Sequence, residues 1–123
     1  MEKLKQTKPA RIGIYTMGLK PYWDQFPGLR ERVIEYAEFI AGKVRQIGGA
    51  QVFLYGLVDC PERGEEAGEY FNAHNVDLIF AHAGTYVNSA SILPVHQVCK
   101  APVVILNLQP TAKINYARTT AGE

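Results

Sequence analysis

The chain has 123 residues, of which 47% are apolar and 20% charged, and its 13 basic and 12 acidic side chains give a net charge of +1. This is the size and composition of one globular domain that buries its core without a metal or a disulfide. No basic stripe or polybasic run points to a nucleic acid or a membrane surface as partner. No apolar run approaches the roughly 18 residues of a membrane span.

Targeting and cysteine signals favour the cytoplasm. Residues 1–10 form a polar lead-in without the apolar core of a signal peptide. Cys60 and Cys99 form no CxxC pair. We therefore expect a cytoplasmic protein with reduced thiols.

Strand and helix patterns alternate along the chain. Short apolar runs predict strands, and i, i+3, i+4 spacing of apolar residues predicts helices. The predicted strands are residues 11–16, 51–58, 76–81 and 102–108, and the predicted helices are residues 27–47, 62–74 and 89–99. This alternation predicts an α/β fold: a flavodoxin-like (Rossmann-like) three-layer α/β/α domain whose parallel sheet has four or more strands in the order 2-1-3-4. Each crossover should be right-handed.

Local signals mark the helix ends. Pro27 suits the first turn of the long helix, and Gly48–Gly49 can supply the left-handed residue that stops it. Asp59 is a candidate cap for the second helix, where Pro61 has no backbone N–H to leave unpaired. Ser89 is the candidate cap of the third.

The end of the chain lacks the last parts of the predicted fold. Residues 111–123 show no strand or helix pattern, whereas a doubly wound sheet normally closes with a fifth strand and helix. We expect a lead-in at 1–10, a flavodoxin-like domain at 11–110 and a tail at 111–123 that leads to a missing downstream domain. The chain would then be a fragment or one domain of a longer protein.

The segment after the first strand is longer than a strand-to-helix turn needs. It runs from Met17 to Phe26 and carries Tyr22, Trp23, Asp24 and Gln25. In open parallel α/β sheets, ligands bind outside the carboxyl ends of the strands, where the strand order reverses. This segment is therefore predicted to form a wall of a binding site.

Further polar groups follow the other strands. They are Asp59 and Cys60 after the second, His82, Thr85, Tyr86 and Asn88 after the third, and Asn107 and Gln109 after the fourth. Amide, hydroxyl and imidazole groups around an aromatic ring suit a polyhydroxylated neutral ligand such as a sugar, although other polar small molecules fit too. The structural alternatives are that Trp23 and Tyr22 pack their loop onto a helix and that Asp59 only caps.

Several common active sites are excluded by their missing motifs. The chain has no GxGxxG, GxxxxGK[ST], HExxH or GxSxG. No pair of carboxylates and no His/carboxylate cluster has the spacing of a metal site or an acid–base pair. A flavin phosphate loop has only a faint counterpart in Thr16-Met-Gly18. Any proton-transfer groups and metal ligands are thus expected in sequence outside this chain.

Six segments resemble the N-terminal domain of the L-fucose/L-arabinose isomerase superfamily, closest to its arabinose-isomerase-like members. The most specific are the Tyr-Trp-x-Gln-Phe-Pro-Gly loop and the Leu-Asn-Leu-Gln-Pro strand end. The segments are residues 18–29, 56–59, 76–80, 84–89, 93–94 and 102–110, and residues 119–123 resemble the point where members continue into their middle domain. Arabinose isomerases carry a different, shorter motif after the first strand, which leaves the sugar open.

The resemblance implies metal-dependent aldose–ketose isomerisation, usually with Mn²⁺, in a cytoplasmic homo-oligomer. The metal ligands of that superfamily belong to later domains, and no catalytic or metal-binding residue is carried over to this chain. On this analogy the candidate sugar-binding residues are Tyr22, Trp23, Gln25, Thr85, Tyr86 and Gln109. The alternative is a non-enzymatic sugar-binding domain resembling one lobe of a periplasmic binding protein or a repressor sensor. A flavin-binding relative of flavodoxin is a third possibility.

Overall fold

The computed structural model describes residues 8–108. The strands are β1 (Ala10–Met17), β2 (Ala50–Val58), β3 (Leu78–His82) and β4 (Val103–Leu106). The helices are α1 (Pro21–Gln25), α2 (Leu29–Ile47), α3 (Pro61–Ala73) and α4 (Ser89–Val98). Gln109, the tail at 111–123 and most of the lead-in lie outside the described residues.

The four strands form one parallel sheet in the order β2-β1-β3-β4. The predicted fold class is confirmed, since the order is that of flavodoxin-like sheets. Within residues 8–108, no helix combines the length and the apolar character that a bilayer crossing requires.

Helices cover both faces of the sheet. Side chains of β1 alternate between the two faces, so each face presents apolar residues to a helix. Ile12 and Ile14 pack with Ile40 and Ala41 of α2 on one face. On the other face, Tyr15 and Met17 join a core cluster that also contains side chains of α3 and α4, namely Ala67, Phe71 and Val95. Between β1 and β3 the strand order reverses, so the loops that follow these two strands lie at the expected ligand-binding position.

The signals predicted for the starts of α2 and α4 are misplaced by one or two residues. Pro27 lies before α2, whose N-cap is Gly28 with a φ of 84°, a left-handed conformation that glycine adopts without a steric penalty. The N-cap of α4 is Asn88 rather than Ser89, and its side chain makes no capping hydrogen bond. The prediction for the end of α2 is confirmed, because Gly48 follows the helix with a φ of 80°.

Candidate functional site

The carboxyl ends of β1 and β3 meet through a buried polar pair. Thr16 and His82 are register partners, and Thr16 Oγ1 lies 2.9 Å from His82 Nδ1. Both residues are buried, and this burial lowers the pKa of His82 below its ordinary value. The pair thus forms the floor of the region where the strand order reverses.

Above this floor, the two loops are hydrogen-bonded to each other. The Thr85 backbone N–H donates to the Met17 carbonyl oxygen at 3.1 Å, and the Leu19 N–H donates to Thr85 Oγ1 at 3.2 Å. Gly84 is packed so closely that a Cβ there would lie 2.6 Å from Val33 Cγ1 and 2.7 Å from the Met17 oxygen. The loops after β1 and β3 therefore form one connected rim.

Trp23 is hydrogen-bonded to Asp59, the residue that follows β2. Its indole Nε1–H donates to Asp59 Oδ2 at 2.9 Å. Its benzene portion lies against Gly18, where a Cβ would be only 2.5 Å from Trp23 Cη2 and Cζ2. The protein itself thus holds the indole at its N–H edge and at its benzene portion.

Asp59 is not the cap that its position suggested. The N-cap of α3 is Cys60, and no side chain makes a capping hydrogen bond there. The Asp59 carboxylate turns instead towards the loop after β1, and Arg63 Nε lies 3.6 Å from its Oδ1, an ion-pair distance too long for a hydrogen bond. The cap interpretation was wrong because α3 begins at Pro61 and its N-cap is Cys60, which leaves Asp59 one residue before the cap position.

The predicted site residues differ in how far they are buried and in what they contact. Trp23 and Thr85 make the contacts described above. Tyr22 is half-buried with its ring edge-on to Phe26 at 5.6 Å between centroids, and Gln25 and Tyr86 are exposed. These residues all lie on the two loops of the carboxyl edge, whereas Gln109 lies outside the described residues.

The loop after β1 is partly helical, which the sequence reading did not anticipate. Residues Pro21–Gln25 form α1, with Pro21 in the first turn, where proline is favoured. Tyr22 and Gln25 are therefore three residues apart on one short helix, a spacing that puts their side chains on neighbouring positions of its surface.

The described residues do not fit a manganese ion. Among residues 8–108, no group of three His, Cys, Asp or Glu side chains is arranged to hold a metal. His82 is the one histidine at the carboxyl edge in this part of the chain, and its Nδ1 is engaged by Thr16.

A scan against models of known protein families and a search of curated proteins both found no match to this chain. The fold places it in the class of α/β proteins that carry a parallel sheet of flavodoxin-like strand order.

Proposed function

We propose that this chain is the N-terminal, sugar-orienting domain of a cytoplasmic, metal-dependent aldose–ketose isomerase of the L-arabinose/L-fucose type. The observation that carries the proposal is the hydrogen-bonded junction of the loops after β1 and β3, through Thr85, Met17 and Leu19. It lies at the reversal of strand order, where parallel α/β sheets bind ligands.

The chemistry of the rim suits a hydroxylated ligand such as a sugar. Trp23 supplies a flat apolar surface of the kind on which the C–H face of a sugar ring packs. The exposed side chains of Gln25 and Asn88 supply amide donors and acceptors for sugar hydroxyls.

In this proposal the chain contributes orientation rather than chemistry. A divalent metal, when bound by residues outside 8–108, would polarise the carbonyl and hydroxyl oxygens of the sugar. The rim would hold the sugar in one position, which lowers the entropic part of the barrier. Assembly into a homo-oligomer belongs to the same proposal.

Calorimetric titration of the chain with L-arabinose and L-fucose, with and without Mn²⁺, tests the proposal. We expect weak binding of at least one sugar and no aldose-to-ketose conversion. Binding of neither sugar would contradict a sugar-orienting role. Tight binding without metal would favour the non-enzymatic sugar-binding domain, and turnover by this chain with Mn²⁺ would contradict the assignment of the chemistry to other sequence.

A further inference from the structure

Asp59 is a buried carboxylate with incomplete pairing. It is 7% exposed, and its Oδ2 accepts the Trp23 indole N–H at 2.9 Å. Its Oδ1 is buried without a hydrogen bond from the described residues, and the nearest cation atom is Arg63 Nε at 3.6 Å. Because burial of an incompletely paired carboxylate costs free energy, fold stability alone is a poor explanation for this arrangement.

The consequence of the arrangement is a fixed indole. Gly18 is tied to β2, since its N–H donates to the Val58 oxygen at 3.1 Å. The benzene portion of Trp23 lies on Gly18, and the N–H edge of the same ring is held at the end of β2 by Asp59. Two contacts at opposite parts of the ring define its orientation along the carboxyl edge.

We propose that Asp59 is a positioning residue that holds Trp23 across the carboxyl ends of β1 and β2, so that the ring presents a preformed wall to a hydroxylated ring-shaped ligand. A wall that is ordered before binding saves the cost of immobilising an aromatic side chain during binding. The ligand part of this inference rests on the proposed function, whereas the orientation of the indole does not.

Fluorescence tests the orientation directly because Trp23 is the only tryptophan of the chain. Asp59→Ala removes the acceptor, and Asp59→Asn keeps an acceptor oxygen at the same place. Asp24→Ala is the matched control, since it removes an exposed carboxylate one residue from Trp23. We expect Asp59→Ala to shift the emission to longer wavelength and to increase quenching by acrylamide, while the other two variants resemble the wild type.

If circular dichroism shows that Asp59→Ala is unfolded, a second variant provides a further test of how the indole is held. Gly18→Ala leaves the carboxylate in place but puts a methyl group where the benzene portion of Trp23 lies. It should shift the emission as well. Wild-type emission in a folded Asp59→Ala protein, or a shifted emission in a folded Asp59→Asn protein, would overturn the role of Asp59. Wild-type emission in Gly18→Ala would overturn the contact between Gly18 and the benzene portion of the ring.

Titration of the same variants with L-arabinose and L-fucose tests the ligand part. We expect Asp59→Ala to weaken binding about tenfold, which corresponds to about 1.4 kcal/mol, and Asp59→Asn to bind as the wild type does. Unchanged affinity in an Asp59→Ala protein with displaced indole would overturn the role in binding. If the wild type binds neither sugar, the proposed function fails, and the fluorescence result still decides whether Asp59 orients Trp23.

Discussion

At the residue scale, two histidines are held against hydroxyl groups in the sheet. His82 Nδ1 lies 2.9 Å from Thr16 Oγ1, and His96 Nε2 lies 2.8 Å from the Tyr15 hydroxyl oxygen. Burial raises the pKa of Tyr15 above its usual range, so this hydroxyl stays protonated and able to donate. His96 Nδ1 is buried without a hydrogen bond from the described residues.

These histidines predict a loss of stability in mild acid. Burial lowers the pKa of both His82 and His96 from the ordinary value of 6.5. The unfolded chain therefore binds more protons than the folded chain as the pH falls below about 6.5, and the free energy of unfolding decreases. Urea unfolding at pH 7.5 and 5.5 should show this decrease.

The control for the pH prediction is the double variant His82→Gln, His96→Gln. It lacks both titrating groups but keeps every carboxylate, so its free energy of unfolding should depend less on pH in this window. An equal pH dependence of variant and wild type would contradict the assignment.

At the residue scale, the position of the site could be predicted from the sequence, but one of its main contacts could not. The loops that carry Trp23 and Thr85 could be predicted, because strand ends in a parallel sheet share one edge. The partner of Trp23 could not, since Asp59 is 36 residues away along the chain. An aspartate just before a helix and a proline is also typical of a cap, and only the folded chain brings the indole N–H to its carboxylate.

At the scale of elements, α3 and α4 pack closely because α3 carries glycines on the contact. A Cβ at Gly64 would overlap the Ser91 carbonyl oxygen, and one at Gly68 would lie 2.7 Å from Val98 Cβ. These glycines lower the intrinsic helix propensity of α3, yet the helix forms over Pro61–Ala73, close to the predicted 62–74. Packing of its apolar face offsets the lower propensity.

Two glycine substitutions with opposite expected signs test this packing. Gly64→Ala should destabilise the protein by about 1–3 kcal/mol, because backbone atoms of α4 must shift to accommodate the methyl group. Gly42→Ala lies in the interior of α2, where nothing is within 4 Å of the added Cβ. It should stabilise by about 0.5–1 kcal/mol, since alanine loses less backbone entropy on folding.

Urea unfolding of both variants gives the comparison. A destabilised Gly42→Ala together with a neutral Gly64→Ala would contradict the helix packing described here.

The end of α2 shows a limit of prediction from apolar spacing. Ile47 continues the apolar spacing of the helix but is 83% exposed. Periodicity predicts the buried face, whereas it does not predict how far along the helix the sheet continues beneath it.

At the scale of the whole molecule, β4 is an apolar edge strand. Within residues 8–108 it pairs with β3 alone, and Val103, Val104 and Ile105 are 41%, 43% and 62% exposed. The register places these side chains alternately on the two faces of the sheet. An edge strand with exposed β-branched residues and no charge favours pairing with another chain.

A charge on this edge should reduce self-association. Ile105→Lys introduces the kind of edge residue that natural sheets use against pairing, and its side chain replaces an exposed one. Phe39→Lys is the control, because Phe39 is also 62% exposed but lies on α2. Light scattering at increasing concentration should fall more for Ile105→Lys. An equal effect of both substitutions would point to general solubility instead.

In the proposed function, the loops after β1 and β3 form one sugar-binding rim. Amide chemical-shift mapping of the labelled chain during titration with L-arabinose and L-fucose locates the sugar on the protein. We expect shifts in residues 18–26 and 82–88, with little change at the opposite edge, where the Arg11 N–H donates to Asp77 Oδ2. Unperturbed amides throughout, or shifts centred on Arg11 and Asp77, would contradict it.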